Sequence, residues 1–134
     1  MSAGSVSRSH LIVEVKGKSK MTCELKRHLS PKTVGSILRS LPLEGNAHFL
    51  GQNIVYFETA VNSGVERQRK EFKKGDIAFS PAGGSICFFI SDVVSSKAMT
   101  PIGKLLSDVD AISAVKPGDV IAVYQQSADI SSGH

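Results

Sequence analysis

Tryptophan is absent and aromatic residues make up only 6% of the 134 residues, so a platform that stacks several nucleic-acid bases has little to be built from. Cysteine is scarce: Cys23 and Cys87 stand far apart, each in an apolar run, and no C-x-x-C pair or comparable metal spacing occurs. Both read as small buried hydrophobes, and a disulfide between them would require their strands to be neighbours. No stretch approaches the roughly 20 apolar residues that cross a bilayer. Arg8 near the start is followed only by Leu11–Val15, which is short and broken by Glu14, so a signal peptide is not indicated and a cytoplasmic protein is the expectation. Charge of one sign is in small excess, 16 basic against 12 acidic residues for a net +4, which reads as solubility rather than as a nucleic-acid footprint. A phosphate loop is missing too: Gly83-Gly84-Ser85 joins two strands instead of opening a helix, so no bundle of amides awaits an anion. Neither metal nor cofactor is expected.

What is present is enough apolar sequence, 41%, for one core and one domain. Residues 1–9 read as a flexible lead, 10–125 as the domain and 126–134 as a flexible polar tail. Leu11–Val15 and Lys20–Leu25 form a hairpin across Lys16-Gly17-Lys18, with Met21, Cys23 and Leu25 on one face. Ser30-Pro31 marks a helix start, the Ser hydroxyl capping and Pro occupying the first position. Val34, Ile37, Leu38 and Leu41 make its apolar stripe, and Pro42 ends it.

Leu43–Gly51 reads as irregular. Asn53–Val61 reads as a strand with both faces covered at Ile54–Phe57, and Glu66–Lys74 as a charged loop. Asp76–Ser80 and Ser85–Ser91 are strands, the second central because Ile86-Cys87-Phe88-Phe89-Ile90 is the most hydrophobic element. Asp92–Ala98 reads as a loop and Ile102–Leu106 as a strand, with Gly103 marking close packing or a bulge. A short helix capped by Ser107 or Asp108 runs to Val115, and Val120–Tyr124 is the last strand. Seven or eight short, mostly antiparallel strands with two helices favour a mainly β closed barrel over a layered βαβ fold.

The histidines do not make a catalytic set. His10 precedes the first strand, His28 the helix, and His134 is the last residue; only His48, between Asn46 and Phe49, is a site candidate, and no motif joins it to a nucleophile. The basic run Arg67, Arg69, Lys70, Lys73, Lys74 is diluted by Glu66 and Glu71, although Phe72 within it is placed to stack a base. The remaining chemistry is apolar: Phe49, Tyr56, Phe57, Phe79, Phe88, Phe89 and Met99. Any of these that faces a cleft offers area for a proline ring or an aliphatic side chain.

Three segments resemble cyclophilin segments in order. Pro31-Lys32-Thr33-Val34 is similar to the start of the first cyclophilin helix, Gly84-Ser85 with Cys87-Phe88-Phe89-Ile90 to the Gly-Ser-Gln-Phe-Phe-Ile strand, and Ile102-Gly103-Lys104-Leu105 to the Phe-Gly-Lys-Val strand. Asn53-Ile54-Val55-Tyr56-Phe57, Lys74-Gly75-Asp76, Pro81 and Pro117-Gly118-Asp119 extend the likeness over Leu11–Tyr124, and it is with the short prokaryotic branch of cyclophilin-like barrel proteins.

The resemblance implies a closed cyclophilin-like β-barrel and a groove for an X-Pro segment. Cyclophilins speed rotation about that amide, whose uncatalysed barrier is about 18–20 kcal/mol, with an arginine donor beside an aromatic floor. Here Phe89 matches the proline-pocket phenylalanine, whereas Cys87 stands for the pocket glutamine and Met99 for the groove histidine. No segment matches the family's arginine strand, and Arg39 lies on the polar side of the helix.

The implied ligand site is Phe89, Met99, Cys87, Phe79, Tyr56 and His48, with no catalytic residue. The expectation is a module, monomeric or a small homo-oligomer, that binds an extended peptide or a small apolar ligand without turnover. The alternatives are a weak prolyl isomerase using His48 or Arg39 as donor, and nucleic-acid binding through residues 67–74.

Overall fold

The computed structural model describes residues 8–107 and 109–126. The expected lead and tail lie outside them except for Arg8, Ser9 and Gln126, as does Asp108, one of the two expected cap residues.

The chain opens with the expected hairpin, longer than the apolar pattern indicated: β1 (Arg8–Val15) and β2 (Ser19–Lys26), in register from Arg8↔Lys26 to Val15↔Ser19. The first helix, α1 (Pro31–Ser40), follows. Ser30 precedes it but does not cap it; its hydroxyl donates to the Pro101 carbonyl at 2.8 Å. The orphan amides are met instead by a carboxylate from 33 residues away. Glu66 accepts from Thr33 N at 2.9 Å, Lys32 N at 3.1 Å and the Thr33 hydroxyl at 3.0 Å. Desolvation pushes the Glu66 pKa up, but these hydrogen bonds and the Lys32 charge outweigh it and hold the carboxyl below its ordinary value.

Glu66→Ala is expected to destabilise the fold by about 1 kcal/mol at neutral pH, as loss of a helix cap does. Because the folded pKa is the lower one, the stabilisation is complete above the unfolded carboxylate pKa and disappears as pH falls through the folded value. Urea titrations of both proteins at several pH values should show the gap closing only on the acid side; a constant gap would mean that the carboxylate charge is not involved.

After α1 the chain forms β3 (Leu43–Asn46), β4 (His48–Leu50), β5 (Ile54–Glu58), β6 (Arg69–Phe72), β7 (Asp76–Ser80), β8 (Ser85–Phe89), β9 (Val93–Leu105), α2 (Asp110–Ser113) and β10 (Val120–Gln125). Residues 43–50 are thus two strands rather than irregular chain, part of the charged segment is β6, and the expected loop at 92–98 is the first half of one strand of 13 residues. There are ten strands among the described residues, not seven or eight, all paired antiparallel.

The expected closed barrel is not formed. The sheet is an open path, β3-β10-β1-β2-β9-β7-β8-β5-β4, with β6 paired to β9 off that path. The reason lies in β5, whose two edges are taken by β8 and β4, leaving none for β3. β3 approaches β5 by packing alone: a Cβ placed on Gly45 would stand 3.0 Å from the Glu58 carbonyl and 3.2 Å from the Phe57 ring.

Strand alternation divides the apolar residues between two faces. Inward go Leu11, Val13, Met21, Cys23, Val55, Phe57, Ile77, Phe79, Ile86, Phe88, Ile102 and Ile121, closed over by Val34 and Ile37 of α1 and Ile112 of α2. A second, smaller cluster lies on the outer face: Ile54, Phe72, Ala78, Cys87, Phe89 and Met99, with Tyr56 and Val93 half-buried beside it. β8, buried along its whole length between β7 and β5, feeds both clusters, as its central position requires.

The two thiols are therefore on opposite faces of the sheet, in strands that are not neighbours, and both are free. Among the described residues no helix is long and apolar enough to cross a membrane.

Candidate functional site

The outer face of β5, β8, β7 and β9 is built in cross-strand rows. Ile54 pairs with Phe89; Tyr56 with Cys87, and Cys87 with Ala78; Glu58 with Ser85, and Ser85 with Ser80. Since side chains alternate, these three rows all point outward: two apolar, the third polar. β6 lies over the first row, and the rows beyond it are open.

Over the first row Phe72 stacks on Phe89 with ring centroids 4.4 Å apart and 14° between planes. The Arg69 guanidinium stands 5.0 Å above the Phe72 ring, a cation–π distance, and reaches Asp76 at 3.4 Å. Phe89 is fully buried. The aromatic floor expected for a proline ring is thus covered by the protein's own Phe72, and Phe72 at 2% exposure is not available to stack a base.

Over the other two rows runs an open groove of about 290 Å³, lined by Leu50, Tyr56, Glu58, Ser80, Ala82, Gly83, Ser85, Cys87, Lys97 and Met99. A second hollow of about 380 Å³ continues it past Ser80, Ala82 and Lys97 toward Val65 and Gln68. The sequence-derived site therefore divides. Tyr56, Cys87 and Met99 line the groove; exposed His48 stacks on Tyr56 at 5.3 Å. Phe89 lies under Phe72, and Phe79 is removed from the site, because it sits one residue out of phase with Ala78 and points into the inner core. Arg39, one of the two donors considered for the alternative isomerase reading, is exposed at the end of α1 and donates to Ser36 at 3.4 Å.

Sequence reasoning missed Glu58, Ser80, Ser85 and Lys97. The signal was there: with Tyr56 and Cys87 taken as outward, a period of two puts Glu58 and Ser85 on the same face.

Burial pushes the Cys87 thiol up to about 12, and desolvation likewise carries Cys23 to about 12. At neutral pH Cys87 is a small apolar surface in the groove floor rather than a nucleophile. No three His, Cys, Asp or Glu side chains among the described residues gather as a metal would require.

A larger cleft, about 620 Å³, lies beside β6 and is lined by Arg69, Lys70, Glu71, Phe72, Lys73, Asp76, Asp92, Val93 and Val94. Its three cations face three carboxylates, and two of the latter are engaged locally: Asp76 accepts from Lys73 N and Asp92 from Lys74 N, each at 2.8 Å. Charge there balances within the protein, and the apolar floor is taken by Arg69. The smaller groove is the better candidate because its apolar floor is open.

A family model described as Cyclophilin-like matches residues 9–124. Among solved structures the chain is similar to a hypothetical protein from Archaeoglobus fulgidus, at 22% identity and a TM-score of 0.74 over 90% of this chain and 96% of that one. It is similar to McbB, solved in complex with tryptophan, at 15% identity and a TM-score of 0.71 over 87% of this chain and 44% of that one. It is also similar to the Mimivirus cyclophilin, at 11% identity and a TM-score of 0.54 over 88% and 86%. These likenesses establish the fold alone. No curated protein matches the chain.

Proposed function

Since the chain belongs to the cyclophilin-like family, we propose that it is a binding module that holds an extended peptide or a small apolar ligand over Tyr56, Cys87 and Met99 without turning it over. The observation that carries this reading is the uncovered second row of the outer face. Phe72 screens Phe89 from solvent, but none of the described residues covers the groove beside it. An open hollow with an apolar floor and a few polar groups at its rim is the usual form of a small-ligand site.

Two features support binding without turnover. The groove-lining residues include no arginine or histidine, so the donor that would favour a twisted amide is not in place at the floor. Arg69 is engaged by Phe72 and Asp76.

That same residue favours the second reading, a weak prolyl isomerase, because its guanidinium stands over the cluster that holds Phe89. Chemical-shift mapping with a proline-containing hexapeptide separates the two. Binding should perturb Tyr56, Cys87, Lys97 and Met99, while the cis/trans exchange rate of the peptide stays at its uncatalysed value. Accelerated exchange would favour the isomerase; responses that avoid the groove at millimolar peptide would remove the first reading, and unaccelerated exchange with Arg69 and Phe72 unperturbed would remove the second.

A further inference from the structure

The groove has an apolar floor but opposite charges on its two sides. Glu58 belongs to β5 and Lys97 to β9; both are exposed, and neither side chain has an ionic or hydrogen-bonding partner among the described residues. Between them the floor holds Ser85, paired in register with Glu58 on one side and Ser80 on the other. Ser85 is only 6% exposed, yet its hydroxyl makes no hydrogen bond among the described residues. Its oxygen is not enclosed, since Arg27 Nε is the one fully buried side-chain polar atom without a partner among the described residues, so the hydroxyl is open to a hydrogen bond from whatever fills the groove.

β5 and β9 are separated by β8 and β7, three strand spacings of about 4.8 Å, or at most about 14 Å. Four extended residues span about that distance. We propose that the groove takes a short peptide lying across these four strands, with a cationic side chain at Glu58, an anionic one at Lys97, a backbone amide on the Ser85 hydroxyl and apolar side chains against Tyr56 and Met99. This rests on the groove being the binding site and adds to it the charge pattern of the ligand. A peptide with like charges at both ends would set one of them against its own sign, which is how such rims exclude partners.

Four acetylated and amidated tetrapeptides test it: Lys-Leu-Leu-Glu, Lys-Leu-Leu-Lys, Glu-Leu-Leu-Glu and the neutral Gln-Leu-Leu-Gln. The wild-type protein should bind the mixed-charge peptide about tenfold better than either like-charged one, with the margin shrinking as salt is added. Glu58→Lys should transfer the preference to Glu-Leu-Leu-Glu, Lys97→Glu should transfer it to Lys-Leu-Leu-Lys, and the double variant should restore the mixed peptide. If the neutral peptide shifts Tyr56 and Met99 but charge makes no difference, the charge pattern is overturned and the groove stands. If no peptide shifts those residues, both fall.

Discussion

Gly103→Ala is expected to cost at least about 3 kcal/mol of folding stability, at the upper end for a residue forced into a packed interior. β2 meets β9 over only three register pairs, Cys23↔Leu105, Glu24↔Lys104 and Leu25↔Gly103. At the last of these a Cβ on residue 103 would collide with the Glu24 carbonyl. That oxygen is backbone, held by the β1–β2 hairpin on its other side, so it cannot swing away as a flexible side chain would. Relief requires the two strands to part, and this is the junction that ties the hairpin to the half of the sheet carrying the groove. Gly64→Ala supplies the control. Nothing lies within 4 Å of the added methyl, so it should leave stability unchanged or raise it by up to about 1 kcal/mol through the unfolded chain. Urea unfolding of both variants checks the contrast, and a Gly103→Ala midpoint equal to wild type would show that the strands do not approach so closely.

Gly103 is also a measure of what could be read in advance. A glycine in the middle of an otherwise apolar strand announces a close approach, and alternation at Met21, Cys23 and Leu25 and along Ile86–Phe89 announces which residues share a face. Local chemistry was legible for α1 as well, since Pro31 and the 34/37 spacing are properties of the helix itself. What was not legible is what depends on a distant partner. The α1 cap looked local, Ser30 beside Pro31, but the donor groups are met by Glu66, and no pattern around Ser30 could show that. β6 looked like a loop because Glu66–Lys74 is charged almost throughout, and Arg69, Lys70 and Glu71 are indeed exposed; its strand character comes from pairing with β9. β3 and β4 were hidden by Gly45, Asn46 and Gly51, which read as breakers until β10 and β5 are brought alongside. Barrel closure failed for the same reason: whether β5 keeps a free edge depends on β4, a strand of three residues. The candidate site followed suit. Phase alone could place Cys87 outward with Tyr56 and send Phe79 inward, once one outward residue was known, but that Phe72 covers Phe89 is a tertiary fact.

Removing that cover should have the largest effect on the site. Phe72 is 2% exposed and lies flat on Phe89, with Arg69 closing over it. Phe72→Ala deletes a buried ring and its stacking partner's contact, a loss of about 3–5 kcal/mol if the space stays empty. β6 is paired to β9 through backbone bonds on either side of a register shift, so the strand itself remains anchored and collapse over the cavity is limited. The vacated volume adjoins Cys87, in the same outer cluster as Phe89 and in the floor of the groove. The hollow over Tyr56 and Met99 should therefore lengthen toward Phe89. In the wild-type protein an acetyl-X-Pro-amide peptide should perturb Tyr56, Cys87 and Met99 but leave Phe89 and Ile54 unmoved, and in Phe72→Ala its footprint should extend to both. Phe72→Leu keeps an apolar cover of smaller area, so it should stay folded with a smaller loss and an unextended footprint; it serves as the comparison if the alanine variant proves too unstable to titrate. A wild-type footprint that already includes Phe89 would show that Phe72 swings aside on its own and that the floor beneath it belongs to the site.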